Sequence, residues 1–381
     1  MRRIVVALTL GALVPAALAA QREQHEWLDQ LYPYAYYTKV DGFWLAGRYG
    51  WYSPMRLIDR PEPNFAAVKF DGAASSKGSY LVSIDAQAPA YWDGWRLGLT
   101  LSATRANRLG YYGQGNGTPY DADSVTPARP YFYEVSRTTR AARLTVQRRI
   151  AGPFRVLAGA SLEHTGFREL PGESWFQRDR VAGIVGPGEV PFNDRVVRGG
   201  LIVDSRDQEI DPHRGVFVEG LVGHGRGYTR TTAVARVYLH PLEKLMLAAR
   251  IGGERMSGSP PVSAQLTMES SEGPFIALGG YRSLRGYYDA RFVGPGKFIG
   301  GVEARYALLW SPRVLELKLV AFYDWGRVFA AGESVRLTTD GLHKSAGGEV
   351  AVALLRNTLI VLGAGKGSDG TQLLFGTTWS Y

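Results

Sequence analysis

The 381-residue chain contains no cysteine, which excludes disulfide staples and thiolate metal sites and suits an exported protein that folds without either. Long apolar runs are also missing. Beyond the first twenty residues nothing approaches the ~18 consecutive apolar residues that a membrane helix needs. Histidine is scarce: the 6 histidines, at 25, 164, 213, 224, 240 and 343, fall singly in loops, turns and strand ends. No H-E-x-x-H pair and no G-x-S-x-G elbow occurs. Gly363-Ala364-Gly365-Lys366-Gly367 lacks both the G-x-x-x-x-G-K-[ST] spacing and a following helix, so it reads as an extracellular hairpin and not as a phosphate loop. No enzyme, metal or cofactor is expected from these residues.

Glycine, tyrosine and tryptophan, in contrast, are abundant, at 47, 21 and 9 residues. The formal charge is +9. Its basic residues are scattered singly through strand-like runs, which argues against a nucleic-acid partner. Residues 1–20 read as a removable export signal. Arg2 and Arg3 form its charged start, Ile4 to Leu13 its apolar stretch and Ala17-Leu18-Ala19 its cleavage site. Roughly twelve apolar residues are too few to span about 30 Å of hydrocarbon.

Period-two alternation is the dominant pattern and runs to the end of the chain. Trp95, Leu97, Leu99, Leu101 and Ala103 alternate with Arg96, Gly98, Thr100, Ser102 and Thr104. Ala142, Leu144 and Val146 oppose Arg143, Thr145, Gln147 and Arg149. Ala233, Ala235, Val237 and Leu239 oppose Arg236, Tyr238 and His240, with Val234 as an apolar intruder. A soluble sandwich also alternates, but its strands usually run about five or six residues. Many runs here reach about ten or more, the length of a tilted strand crossing a bilayer. Polar residues on one face suit a wet lumen and apolar residues on the other suit lipid.

The connections fall into two classes. Short ones lie at Pro89–Gly94, Ile150–Pro153, Asp211–Gly215, Pro241–Lys244, Ser311–Arg313 and Arg356–Thr358. Long ones lie at Asn107–Arg129, Arg168–Asp194, Ser257–Pro295 and Ala330–Leu342. Their alternation matches periplasmic turns and extracellular loops, and gives about sixteen antiparallel strands in an all-β transmembrane barrel. The first pair is placed at Tyr34–Val40 and Phe43–Tyr52. The last strand is expected to carry Leu373, Phe375, Thr377, Trp379 and Tyr381 on one face, with the terminal aromatics in an interfacial girdle.

Two segments stand out within this frame. A Gly- and Pro-rich loop carries Gly279-Gly280-Tyr281-Arg282-Ser283-Leu284-Arg285-Gly286-Tyr287. A later strand carries Phe322-Tyr323-Asp324-Trp325-Gly326. If Asp324 faces the lumen, Leu319, Ala321, Tyr323 and Trp325 face lipid, and the same test turns Glu303 inward with Arg305. Arg285 can then reach Asp324 and Glu303 from the loop tip, through a rigid guanidinium fork suited to bidentate carboxylate pairing. Gly286 is expected to let the tip turn sharply, and Tyr287 to pack on the wall.

The loop segment with Leu284, Arg285, Gly286 and Tyr287 resembles the inward-folded sixth loop of the BamA/TamA superfamily of outer-membrane assembly and translocation barrels. Phe322, Asp324 and Gly326 match the family's F-x-D-x-G strand, and Glu303 with Arg305 its acid-then-base strand. Asp204, Arg206 and Asp207, followed by Asp211, Pro212 and Gly215, look like its D-x-R-D…P…G strand–turn–strand. Pro33 to Gly50 is similar to the first hairpin of the bacterial surface antigen branch. The terminal aromatics Phe375, Trp379 and Tyr381 resemble the signal read by outer-membrane assembly machinery.

The resemblance implies a Gram-negative outer-membrane barrel over residues 33–381 that helps insert or translocate proteins or lipids. A seam between the first and last strands would open to template a client strand by β-augmentation. Expected partners are outer-membrane lipid, lipopolysaccharide and client outer-membrane proteins. Residues 21–32, expected to form at most a short amphipathic turn with Trp27, Leu28 and Leu31, are too few for the periplasmic POTRA modules of the family. A separate periplasmic partner would then deliver clients. The alternative is a passive or substrate-selective pore constricted by the loop, with lumen arginines favouring anions.

Overall fold

In a computed structural model, residues 27–38, 40–54, 61–311, 315–354 and 358–381 are described. The expected export signal, Gln21 to Glu26 and parts of two expected turns, Ser311–Arg313 and Arg356–Thr358, lie outside the described residues. Sixteen strands form one antiparallel sheet in chain order. They are β1 (Leu28–Thr38), β2 (Gly42–Pro54), β3 (Asn64–Ser75), β4 (Tyr80–Trp92), β5 (Trp95–Gly110), β6 (Glu134–Ala151), β7 (Phe154–Arg168) and β8 (Phe192–Asp204). The second half comprises β9 (Gly215–Gly225), β10 (Tyr228–Leu242), β11 (Leu245–Gly258), β12 (Gly296–Ser311), β13 (Leu315–Phe329), β14 (His343–Leu354), β15 (Thr358–Gly367) and β16 (Gly370–Gly376). The long connections 111–133, 169–191, 259–295 and 330–342 all lie at one end, with a short helix α1 (Trp175–Val181) in the second.

Side-chain parity sorts the two faces. Leu99, Leu101, Leu144, Leu162, Val197, Leu201, Val302, Leu319, Tyr323 and Val350 point outward and stay exposed, as an apolar belt meeting hydrocarbon must. The opposite parity buries Arg198, Glu219, Arg236, Arg250, Glu254, Lys297, Glu303, Lys318, Asp324 and Glu349 in the interior. No helix among the described residues is long and apolar enough to cross a membrane. The chain forms an all-β transmembrane barrel with a polar, occupied lumen.

The occupant is the 259–295 connection between β11 and β12, which folds inward. Its Leu266, Met268, Ala277, Leu278, Leu284 and Phe292 are fully or almost fully buried. Several of them pack with Val234 of β10, Ile299 of β12 and Val328 of β13. Val234 breaks the polar-inward pattern of its strand because it faces this apolar loop and not water.

Both ends of the sheet differ from expectation. β1 begins at Leu28, ahead of the expected Tyr34, so Leu28 and Leu31 belong to the wall and not to a separate amphipathic turn. β16 is the shorter end, with 7 residues against 11 in β1. Among the described residues no backbone pairing joins β1 to β16. They meet instead through rings, with Tyr36 stacked on Phe375 at a centroid distance of 5.3 Å. Tyr36 has inward parity on β1 and Phe375 outward parity on β16, so the end of the last strand passes inside the first.

The chain also leaves the sheet at Gly376, which corrects the expectation for its last residues. Trp379 and Tyr381, each only 4% exposed, turn into the lumen instead of joining an outer girdle. Tyr281 of the inward loop packs at the point of departure. Its ring fills the space where a side chain at residue 376 would lie, and its hydroxyl donates to the Thr378 carbonyl at 2.7 Å.

The outward assignment of the apolar parity is testable at mid-height of β6. Leu144→Arg should destabilise folding into lipid vesicles by about 2–4 kcal/mol in urea titrations, the cost of a cation near the bilayer midplane.

Candidate functional site

Ion pairs pin the inward loop through Glu269, Glu272, Arg285 and Arg291, and Arg285 is the deepest-buried of the pins. Its Nε donates to Asp324 Oδ2 and its Nη2 to Asp324 Oδ1, both at 2.8 Å, and its own backbone N–H reaches Oδ2 at 3.2 Å. Nη1 donates to Glu303 Oε1 at 2.6 Å and to Glu349 at 3.4 Å. The guanidinium carbon stands 3.7 Å from the Phe322 ring centroid, so the face of the fork is held by cation–π attraction while its edge is held by charge. All four ionic side chains are fully buried. The β12–β13 register places Gly301 beside Asp324. A side chain at 301 would touch Asp324 Oδ1, so glycine there leaves room for the pairing.

Two further cations complete the cluster. Arg305 Nε donates to Glu303 Oε2 at 2.8 Å. Arg250 donates to the carbonyls of Arg282 at 2.8 Å and Ser380 at 3.3 Å, beneath the Tyr381 ring. Arg285 and Arg305 therefore meet the three carboxylates Asp324, Glu303 and Glu349, while Arg250 holds backbone carbonyls beside them. Charge balance matters because an unmatched ion out of water is costly.

Glycines form the bed for the tip. A Cβ on Gly286 would lie 2.4 Å from the Lys366 carbonyl carbon, and one on Gly365 would lie 2.7 Å from the Arg285 carbonyl oxygen. Gly286 thus allows backbone-to-backbone approach to β15. The sharp turn expected of it is made by Gly279 and Gly280, with φ of 110° and 88°. The Gly363–Gly367 run is accordingly the seat of the loop tip, although it also ends in the expected hairpin. Tyr287 lies against Gly367 and donates to the Lys344 carbonyl at 3.3 Å, while Leu284 is buried in the apolar cluster of the loop. Gly326 leaves room for Leu278.

The strand–turn motif belongs to the same construction. Arg206 makes a bidentate contact with Asp204 at 3.0 and 3.1 Å, and its Nη2 also donates to Glu272 of the inward loop at 2.8 Å. Arg236 Nη1 holds the other oxygen of Glu272 at 2.6 Å. Asp207 Oδ1 accepts from the backbone of His213 and Arg214 at 2.9 and 3.1 Å. Gly215, at φ 112°, packs on Ser205 where no side chain fits. Pro212 lies within this turn between β8 and β9. Two further pins are Glu269, which pairs with Arg143 and lies 3.8 Å from Arg230, and Arg291, which pairs with Asp369. The acids Glu269, Glu272 and Glu349 escaped the reading of the sequence, because acids scattered on a loop and a strand carry no spacing that identifies them.

The C-terminal residues close the lower part of the lumen. Trp379 Nε1 donates to Asp211 Oδ1 at 2.8 Å, and Arg305 stacks on its indole at 3.7 Å. Ser380 Oγ donates to Glu303 Oε1 at 3.2 Å. Asp211, His213 and Glu316 bring their ligand atoms within 4.8 Å of one another, the spacing of a metal-ligand set. The Lys318 ammonium sits among them, 2.5 Å from Asp211, 2.8 Å from Glu316 and 3.2 Å from His213. It supplies the positive charge that a metal ion would bring, so the group reads as an ion-pair cluster. Of the expected terminal signal residues, Phe375 alone remains on the outer face.

The Omp85 superfamily domain matches residues 67–355. Among solved structures, the chain is similar to BamA from Haemophilus ducreyi lacking POTRA domains 1–3, with 13% identity and a TM-score of 0.54 over 93% of this chain and 69% of that one. It is also similar to CdiB from Escherichia coli, with 10% identity and a TM-score of 0.56 over 92% of this chain and 60% of that one. At these identities the likeness is one of fold. No curated protein matches the sequence.

Arg285→Ala should leave the barrel in the membrane yet free the loop, at a cost of about 3–5 kcal/mol from the unpaired carboxylates. Faster proteolysis within 279–291 and a lower temperature for the folded-to-unfolded gel shift are the expected readouts. Gly286→Val should give a similar release without changing any charge, because the tip can no longer reach β15.

Proposed function

Because the chain belongs to the Omp85 superfamily of outer-membrane barrels, we propose that it assists the insertion or translocation of proteins, or of lipids, at the outer membrane through the seam between β1 and β16. The observation that carries this reading is the seam itself. Its two strands meet by the Tyr36–Phe375 stack and not by a described backbone ladder. A sheet edge free of a ladder can pair with an incoming extended segment, which supplies the missing main-chain hydrogen bonds.

The lumen supports this reading over a passive pore. The inward loop fills it from one side and the terminal Trp379 to Tyr381 from the other, both held by buried ion pairs. In this proposal residues 1–20 leave as an export signal, and a separate periplasmic protein presents clients at the turn-bearing end.

Reconstitution in liposomes with an unfolded barrel client tests the reading. The absence of native cysteine makes a Tyr36→Cys, Phe375→Cys variant clean to crosslink. Client folding should be faster than in empty liposomes with the reduced variant and should fall to the empty-liposome rate once the seam is bridged. Equal acceleration by the bridged and reduced forms would rule out the seam.

A further inference from the structure

Most outward side chains of the barrel are apolar, but the wall formed by β4 to β8 breaks the rule near the end that carries the long connections. The register aligns Val82, Ala103, Arg140, His164 and Asn193 across five strands at one level. One level further out lie Tyr80, Arg105 and Thr138, and one level further in lie Ile84, Leu101, Ala142, Leu162 and Arg195. By parity all of these point away from the lumen. Four basic side chains therefore occupy adjacent strands, which at about 4.8 Å per strand and about 3.4 Å per residue along the strand places them within roughly 20 Å.

The acids Glu163 and Asp194 of the same strands sit at the alternate, inward positions, where Asp194 Oδ1 accepts from the Arg195 backbone N–H at 2.9 Å. Among the described residues Arg105, Arg140 and Arg195 form no ion pair with a carboxylate, whereas several inward arginines of the same wall do, such as Arg143 with Glu269 and Arg96 with Glu62. Two of the four are also held in place. The Arg105 guanidinium lies 5.4 Å from the Tyr80 ring centroid, and His164 Nδ1 lies 2.7 Å from Asn193 Oδ1. Tyr80, Arg105, Thr138, Arg140 and His164 line a cavity of about 260 Å³. Directly beneath, Leu101, Leu162, Leu144 and Val197 are exposed to the hydrocarbon.

An outward arginine costs little at the membrane interface and several kcal/mol at the midplane, so this belt marks the headgroup level. Unpaired guanidinium groups there call for an anion, and their forks fit phosphate oxygens. We propose that the outer face of β4 to β8 binds the phosphorylated headgroup of an outer-leaflet glycolipid. Arg105, Arg140, His164 and Arg195 would contact phosphate, and the leucines below would seat the acyl chains. A free phosphate ion offers the same oxygens but nothing for the apolar floor, which is why the lipid is favoured. This assignment concerns the outer wall and does not depend on activity at the seam.

Native mass spectrometry of the full-length barrel in detergent, titrated with diphosphoryl lipid A, tests the site. The wild type should bind it with an apparent affinity at least tenfold above that for lipid A stripped of both phosphates or for inorganic phosphate. The Arg140→Glu, Arg195→Glu variant should lose that tenfold preference. Arg148→Glu, an exposed change at the opposite end of β6, should keep it. The milder Arg105→Gln, His164→Gln variant serves if charge reversal prevents folding, and should weaken binding severalfold. Equal binding of phosphorylated and dephosphorylated lipid, equal binding of inorganic phosphate, or unchanged binding by the site variants would overturn the proposal.

Discussion

The buried contact of Arg285 with Asp324, Glu303 and Glu349 is the constraint on which the interior depends. Three acids drawn from three neighbouring strands cannot be buried together unless cations meet them. The loop brings Arg285 and the wall supplies Arg305, with Arg250 close by on the carbonyls of the loop and the terminal residues. Desolvating such ions is expensive, and the attraction compensates only where geometry is good and the remaining donors are satisfied. Here the fork is bidentate on Asp324, its face rests on Phe322, and glycines on β15 let the backbones touch. The apolar flank of the loop then packs on Val234, Ile299 and Val328, so charge sets the position and burial adds the adhesion.

The cluster also reaches the end of the sheet. Tyr281 precedes Arg285 by one turn of the loop and holds the Thr378 carbonyl, while Ser380 and Trp379 bind Glu303 and Asp211. Loop, terminal residues and β8–β9 turn are therefore joined by shared partners. Any movement that widens the seam between β1 and β16 strains this set of contacts, which ties the proposed lateral opening to the lumen. The outward basic belt on β4 to β8 lies on a different part of the wall and is free of that coupling.

Much of this architecture was legible in the sequence because a barrel wall obeys one simple rule. Alternation in segments such as 95–104 and 142–149 specified which face met lipid, and the two lengths of connection specified the strand count. Arg285, Asp324 and Glu303 were recoverable because parity and a short motif named them. Glu272 and Glu349 were not, since which acid meets which arginine depends on how far the loop descends. The terminal residues misled for a physical reason. Trp379 and Tyr381 continue the period-two pattern of β16, but Tyr281 packs on Gly376 and holds the Thr378 carbonyl, and the lumen offers Asp211 and Arg305 as partners. A first strand beginning at Leu28 was missed because Pro33 within it reads as a boundary.

The central claim is that paired charge holds the loop in the lumen, and a double-mutant cycle on Arg285→Met and Asp324→Leu addresses it most directly. Stability is read by urea unfolding from vesicles for the wild type, both single variants and the double variant. The account gives a coupling of at least about 2 kcal/mol, with the double variant more stable than the sum of the single losses implies, since the apolar pair strands neither charge of that contact. Additive losses, with no coupling between the two positions, would contradict it.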